Sequence, residues 1–590
     1  MHLVVHREIR DDEVLRRQWN DLVQKMAQPE VFYTYEWALA VHRAYRAQMV
    51  PLLLLAYEED SLVGLVALAT DSSQRETFFL TSTTADYCDF VCHPQRRTEL
   101  LDSVLAELRK LDAPMLRLAN LPADSVTSHS LKRAARKYGY SVFSRPAYSC
   151  AQVVIDSPEN REVVKESVQR RMRRYAKAMG KKTPVKFSHC RSPGSISAEL
   201  PIFAKAHVAR FLATGRISNL VCPERRVFLE ELARSLSASG WVTLSRLIVG
   251  EQVLAWNYGF QFAGSWFWYQ PTFDSNFQRY SPGLWLLSKI VEESCENPEL
   301  SSIDLGLGAE GYKERLATAS RETLHVTVTT STLRCWKERI RYHSAAAIRS
   351  IPRLEAWVRA GMHHAAALKT RLQTEGLAGY LKSLFRSCQK LLRDQSEFCF
   401  LEWAQEGLSR MQHSAPHSLA IQPVDLDLLA TAAMHYVEDP ETLAYLLRAA
   451  DRLRSDETQG FVLVTCEGVP LHFCWATNFE KISATELKYP MTAPSSDCAL
   501  IVDCWTPVSV RGQGYYREAI AGVGSQLQAA GKSVWIFASA TNGTALRGAE
   551  EAGFIRKFSL LHKRLLFARK LVESQFSSVT RPAVEVSSAA

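Results

Sequence analysis

The sequence predicts mixed α/β domains, with mostly antiparallel sheets flanked by helices, repeated along the chain and joined by a basic helical connector. Short β-rich runs alternate with stretches of helical periodicity. Paired runs are joined by tight turns, as in hairpins. Two blocks also follow one order of elements: hairpin, further strand, turn, helix, strand. With 590 residues, 47% hydrophobic and 23% charged, the chain carries more apolar mass than one core absorbs, so three or four domains are expected.

In the first block, PLLLLAYEEDSLVGLVALA reads as two strands about an acidic turn, and TELLDSVLAELRKL as a helix with leucines at helical spacing. In the second, WVTLSRLIVGEQVLAWNYGFQFAGSWFWYQPTFD gives three strands with turns at Val249-Gly250-Glu251 and Ala263-Gly264. A helix, SPGLWLLSKIVEES, follows, with Ser281 placed to cap it and Pro282 suited to its first turn. In the third, FVLVTCEGVPLHFCWATNFE is a hairpin, ALIVDCWTPV a strand, and VRGQGYYREAI a glycine turn opening a helix. Between the second and third blocks, Lys337 to Arg393 holds twelve Lys or Arg against three Glu. There the stripe from Leu377 to Leu392, with Leu384 and Phe385, falls on one helical face. Such a connector packs between domains or rests on an anionic membrane. The expected boundaries are 1–150, 151–335, a connector at 336–398, 399–575 and a disordered tail at 576–590.

The net charge of +9 favours anionic partners such as phosphates, nucleotides or a lipid surface without choosing among them. Thirteen scattered cysteines suit free thiols in a reducing compartment. The nearest approach to a metal cluster, CDFVCH at Cys88–His93, lacks a second ligand pair, so no metal is expected. The opening MHLVVHREIRDDEV is charged where a signal peptide is apolar, and the apolar runs are too short to span a bilayer. A cytoplasmic protein is expected.

The turn after ALIVDCWTPV carries the chemistry. Its glycines permit close backbone approach, and the unpaired N–H groups of the helix start favour an anion. Downstream, KSVWIFASATNGTALRGAEEAGFIRKF supplies a strand, Asn542 before a short helix, and Ala-Gly-Phe before a last strand. Together these resemble motifs A and B of the GNAT acyltransferases over about residues 420 to 565. The resemblance implies that Arg511, Gly512, Gln513 and Gly514 grip the pyrophosphate of acetyl-CoA or another acyl-CoA. Val508 and Val510 would offer backbone groups to the pantetheine arm, with Asn542 near the thioester. Tyr516 stands where the family has a small residue, and Ala549 where a thiol-protonating tyrosine often lies.

In the first half, VFYTYEW, ESVQRRMRRYAKAMGKK, YQPTFDSNFQRYSPGLWLL and IDLGLGAEGYKERL resemble the CelD-like acetyltransferase domain, a relative of the double-GNAT FemAB-type transferases. This implies two GNAT-like subdomains over roughly residues 5 to 335. Tyr280 would lie in the turn corresponding to the pyrophosphate loop, and Asp304, Tyr312 and Lys313 in the closing motif. Arg170, Arg171 and Arg174 are candidates for clamping a phosphorylated or nucleotide-linked substrate, or form a solvated basic face. Asp503 and Lys313 are the candidate catalytic groups. Asp503 is equally readable as a strand-edge acid held in a hydrogen bond, and Lys313 could bind an acyl donor or a phosphate. The expected function is acyl-CoA-dependent transfer to an amine, such as an amino sugar or polysaccharide precursor. FemAB-like aminoacyl transfer from charged tRNA and a non-catalytic scaffold are the alternatives.

Overall fold

Strands apolar on both faces, such as Met49–Glu58, must be covered on both sides, and the chain does this by returning a helix across each sheet. The computed structural model describes residues 1–71, 76–179, 184–308, 310–349, 393–404, 419–455, 457–478, 494–565 and 568–575. The connector stripe from Leu377 to Leu392 and the tail at 576–590 lie outside these residues. Two compact units are present, Met1–Arg210 with Asn219–Glu355, and Phe211–Ser218 with Ala356–Ala590.

The strands of unit 1 are β1 (His2–His6), β2 (Met49–Glu58), β3 (Ser61–Asp71), β4 (Thr77–Phe79), β5 (Val91–Cys92), β6 (Met115–Pro122), β7 (Ser141–Val154), β8 (Val185–Cys190), β9 (Val242–Val249), β10 (Gln252–Phe262), β11 (Ser265–Phe273), β12 (Ser302–Leu307) and β13 (Ala319–Thr329). They form one sheet in the order β1-β2-β3-β4-β6-β13-β7-β12-β11-β10-β9-β8, with β5 on β3. Unit 2 has β14 (Arg393–Trp403), β15 (Ala420–Pro423), β16 (Thr458–Val464), β17 (Pro470–Thr477), β18 (Cys498–Trp505), β19 (Ser533–Ser539), β20 (Phe554–Leu565) and β21 (Ala568–Gln575). Its sheet runs β15-β16-β17-β18-β19-β14-β20-β21.

One arrangement occurs three times: three antiparallel neighbours, then a parallel pair joined by a helix. The parallel pairs are β4 with β6, β11 with β12, and β18 with β19. Their crossover helices are Arg97–Lys110, Pro282–Glu296 and Tyr515–Ala529. In unit 1 the copies exchange strands, because β7 lies between β12 and β13 while β13 lies between β7 and β6. The boundary expected at residue 150 therefore falls inside a strand that both copies use.

A buried polar cluster fastens this exchange. Tyr87 donates its hydroxyl to Asp304 at 2.7 Å, Gln152 donates to the same oxygen at 2.9 Å, and the Gly306 N–H donates to the other at 2.7 Å. Arg321 pairs with Glu30 and lies 4.5 Å over the Tyr87 ring. Burial pushes the Glu30 carboxyl up to about 8, against the pull of Arg321. Burial, then the neighbouring Asp304 charge, raises Asp86 to about 7, opposed by Lys313 and Arg225.

A carboxyl whose folded pKa lies above its ordinary value stabilises the fold fully at low pH and loses that contribution as pH rises through the folded value. For Asp86 the window runs from 3.8 to about 7. Asp86→Asn is expected to flatten the fall of the urea midpoint across this window. A pH profile parallel to that of the wild type would show that Asp86 is not buried as a neutral acid.

Candidate functional site

β18 and β19 are hydrogen-bonded only from Cys498–Ser533 to Ile501–Ile536, and beyond that point they diverge. The outer edge of β18 from Val502 to Trp505 thus has no strand partner on the side facing β19. A bulge lies in the same stretch: Trp475 opposes Val502 and Phe473 opposes Trp505, so two residues of β18 face one of β17. Asp503 sits in that bulge with a left-handed φ of 48°, a conformation Asp tolerates better than most residues. A cleft of about 1020 Å³ opens along this edge. It is large enough for an extended ligand.

The cleft reaches the start of the Tyr515–Ala529 helix. Gly514 holds φ at 84° and provides no side-chain cap. The first intrahelical bond there is Glu518 N–H to Gly514 O, which leaves the N–H groups of Tyr515, Tyr516 and Arg517 without intrahelical acceptors. A side chain at Gly514 would be strained by that φ and would approach Arg517 Nη2 at 3.7 Å. These donors and the glycine conformation fit the diphosphate of a nucleotide thioester.

The sequence-derived residues distribute unevenly over this geometry. Gly512, Gln513 and Gly514 line the cleft, with Gln513 Oε1 accepting from the Tyr515 hydroxyl at 2.9 Å. Arg511 also lines it but is folded back: Nε donates to Thr506 O at 3.0 Å, the guanidinium lies 4.9 Å over Trp505, and Nη2 is 3.7 Å from Glu441. The N–H groups of Val508 and Val510 are already committed, to Asp439 Oδ2 at 2.9 Å and to Pro507 O at 3.1 Å. The N–H groups at these two positions are therefore engaged, by Asp439 and by the turn, and the open backbone edge lies earlier, on β18. Asn542 lines the cleft while capping the Gly543–Glu551 helix through Ala545 N–H at 3.1 Å. Asp503 accepts from Arg452, whose guanidinium lies 5.2 Å over Trp475.

Two cleft residues escaped the sequence reading. Arg517, in the first turn of the helix, lines the cleft, with Nη1 3.6 Å from Glu551 and Nε buried without a partner. The i,i+3 spacing from Gly514 was the available signal. His472, 1% exposed, joins Nδ1 to Thr506 Oγ1 at 2.7 Å, and its Nε2 has no partner. Burial pulls the imidazole down to about 3. A lone histidine in the apolar run PLHFCWAT was its only trace, and buried histidines of this kind usually belong to cores. Tyr516 stacks edge-on to His472 at 5.6 Å. It also packs on Gly548, where a Cβ would come within 2.8 Å of its ring.

The other two copies close the same split. Past Phe78–Arg117, the edge of β6 is taken by the chain itself, with Cys88 N–H donating to Asn120 O at 2.9 Å and Asn120 Nδ2 to Ala85 O at 2.9 Å. β11 and β12 part after Phe267–Asp304. There Trp268 Nε1 donates to the Tyr312 hydroxyl at 3.3 Å, and burial pushes that phenol up. The following helix starts at Ser281 with a left-handed φ of 52° and no side-chain cap, and Pro282 removes an N–H. Phe273 lies 3.1 Å from a Cβ built on Gly283. Tyr280 stacks under Arg279 at 4.6 Å. The carboxylate of Asp304 is occupied by the internal cluster, and buried Lys313 donates to Leu307 O at 2.8 Å. Both side chains thus bind the fold and not the cleft. Arg171 donates to Arg315 O at 2.9 Å, while Arg170 and Arg174 are exposed.

Residues 166–314 match the Acetyltransf_6 family model, an acetyltransferase (GNAT) domain. No curated protein matches the chain. Among solved structures, FemX is 11% identical over 56% of this chain and 97% of its own, with a TM-score of 0.39. A tandem GNAT protein from the clavulanic acid biosynthesis pathway is 12% identical over 56% of this chain and 99% of its own, with a TM-score of 0.34. L-PGS from Bacillus licheniformis is 9% identical over 53% and 96%, also at 0.34. The matched residues of the GNAT family model fall in the second copy of unit 1. Unit 2 repeats that copy's order of strands and crossover helix.

The contact between Tyr516 and Gly548 makes a direct prediction. Gly548→Leu is expected to destabilise the chain by about 1–3 kcal/mol through overpacking. The same substitution in a Tyr516→Ala background should cost much less. Equal costs in a double-mutant cycle of urea unfolding would show that the two residues do not constrain each other.

Proposed function

We propose that this GNAT-superfamily acyltransferase holds an acyl-CoA, with acetyl the expected group, in the unit 2 cleft and transfers the acyl group to an amine. One observation carries the reading: an unpaired β18 edge and an uncapped glycine-led helix start open onto the same cleft of about 1020 Å³. The N–H groups at residues 515–517 and the Arg517 side chain would take the diphosphate. The free edge of β18 would pair with the amide-bearing arm as a neighbouring strand does, and a backbone N–H at the bulge would polarise the thioester carbonyl. Asp503, fixed by Arg452, would hold the bulge in shape. The corresponding helix start in the second copy of unit 1 offers a poorer phosphate seat, because Pro282 has no N–H and Phe273 leans on Gly283.

The acceptor is proposed to be an anionic amine, such as an amino sugar carried on a phosphorylated or nucleotide-linked precursor. The exposed Arg170 and Arg174 support an anionic partner. An anionic membrane near the connector fits the same charge.

Calorimetry of the full chain should detect acetyl-CoA binding. Gly514→Val should abolish it, and Arg517→Ala should weaken it by about 10-fold or more, the scale of one charge-assisted hydrogen bond. Gly283→Val should leave it unchanged. Binding that survives Gly514→Val would remove the diphosphate from this turn, and acyl transfer from charged tRNA in place of acetyl-CoA would replace the donor altogether. Separately, changing Arg170, Arg171 and Arg174 together should raise KM for an anionic acceptor and flatten its salt dependence. An unchanged KM with lowered stability would return this face to a structural role.

A further inference from the structure

Amide formation from an amine and a thioester moves one proton: the nitrogen loses it as the C–N bond forms, and the sulfur gains it as the C–S bond breaks. If unit 2 binds an acyl-CoA as read above, some group in its cleft must manage that proton, and most of the titratable side chains lining it are engaged. Asp503 is paired with Arg452, and Glu551 with Arg517. The Tyr515 hydroxyl is given to Gln513. The Cys504 thiol is pushed well up, by its hydrogen bond with Cys474 and then by burial. Burial also raises the Tyr516 phenol, which is wedged against Gly548. Arg511, Arg517 and Arg547 are cations with no proton to exchange near neutrality. Ala549 leaves no phenol at the position where the GNAT resemblance would place the thiol-protonating tyrosine.

His472 differs from all of these. It stands on β17 beside the bulge, lines the cleft, and has one ring nitrogen anchored to Thr506 Oγ1 and the other without a partner. We propose that His472 Nε2 is the proton carrier of unit 2, accepting the proton of the amine as the C–N bond forms and delivering it to the departing sulfur as the C–S bond breaks. Thr506 is the positioning residue. With Nδ1–H donated to its hydroxyl, the lone pair lies on Nε2, a buried and unpartnered atom of a residue that lines the cleft. The imidazole ends the cycle as it began, so no other acid or base is consumed.

The surroundings suit both half-steps. Burial keeps the ring neutral at physiological pH, so its lone pair is available. The nitrogen of the tetrahedral adduct is far more acidic than a free ammonium, so a weak base can deprotonate it. An imidazolium destabilised by burial is in turn a strong donor to a thiolate.

The test uses the full chain. In wild-type protein with 15N-labelled histidine, the imidazole spectrum should show His472 protonated at Nδ1 and bare at Nε2, with the Nε2 resonance moving on addition of acetyl-CoA. His472→Asn keeps a donor at the Nδ1 position and removes Nε2. It should bind acetyl-CoA within about twofold of wild type by calorimetry, yet lose about 100-fold or more of thiol release from acetyl-CoA with glucosamine as the amine probe, within the range of general acid–base catalysis. Added imidazole should restore part of that rate to His472→Ala. An Nε2–H tautomer in the acetyl-CoA complex, undiminished thiol release in His472→Asn, or equal losses of affinity and rate would each overturn the proposal. The spectroscopic arm needs neither an acceptor nor a folded variant. Wild-type protein that fails to bind acetyl-CoA would instead overturn the donor assignment on which the proposal rests.

Discussion

Parallel neighbours that separate partway along their length leave a row of backbone N–H and C=O groups with no strand to bond, and every copy of the fold in this chain is organised around that split. Unpaired backbone groups away from water cost on the order of 1–3 kcal/mol each, so the gap must be filled, lidded or left open to a ligand or solvent. The first copy fills it with its own chain, at Ala85 and Cys88. The second narrows it with Trp268, Tyr312 and Phe273. Only unit 2, among the described residues, leaves a broad cleft on it.

The electrostatics of that open cleft follow from the same choice. Its arginines are held loosely by carboxylates at the rim, Arg511 by Glu441 at 3.7 Å and Arg517 by Glu551 at 3.6 Å. Such half-exposed pairs contribute little stability and exchange partners cheaply. Deeper in, where solvent is excluded, the polar groups are neutral: His472 below its ordinary range, Tyr516 and Cys504 above theirs. The cleft therefore grades from an anion-attracting mouth to a neutral floor. Unit 1 instead buries a polar network, in which Glu30, Asp304 and Arg321 tie the exchanged strands together. Removing one member of such a network leaves the others unpaired.

The hairpins, the glycine turn and the repeated order of elements in the second and third blocks were legible in sequence because each is a local pattern. The first copy was expected only from its family resemblance and not from the order of elements, because β4 has only three residues, too few for a period to show. The expected boundary at 150 falls within β7, and nothing local tells that the two edges of this strand serve different copies. At the site, the glycines were readable and the arginine was not. Arg511 precedes the helix in sequence, yet its side chain turns back to Thr506 and Trp505, while Arg517 lines the cleft from the helix itself.

The sequence by itself determined the mixed α/β class, the helix opening at Gly514 and the cap at Asn542, since these depend on residues within a few positions of one another. Tertiary structure decided the rest. Val508 and Val510 ceased to be donors because Asp439, 69 residues away, and the turn itself had claimed or closed their N–H groups. Asp304 and Lys313 turned inward because strands from two copies converge on them. His472 became a cleft residue because a bulge in the neighbouring strand set Thr506 against one of its nitrogens and left the other bare. Propensity and pattern act along the chain, whereas the state of a polar side chain depends on whichever distant group reaches it first in space.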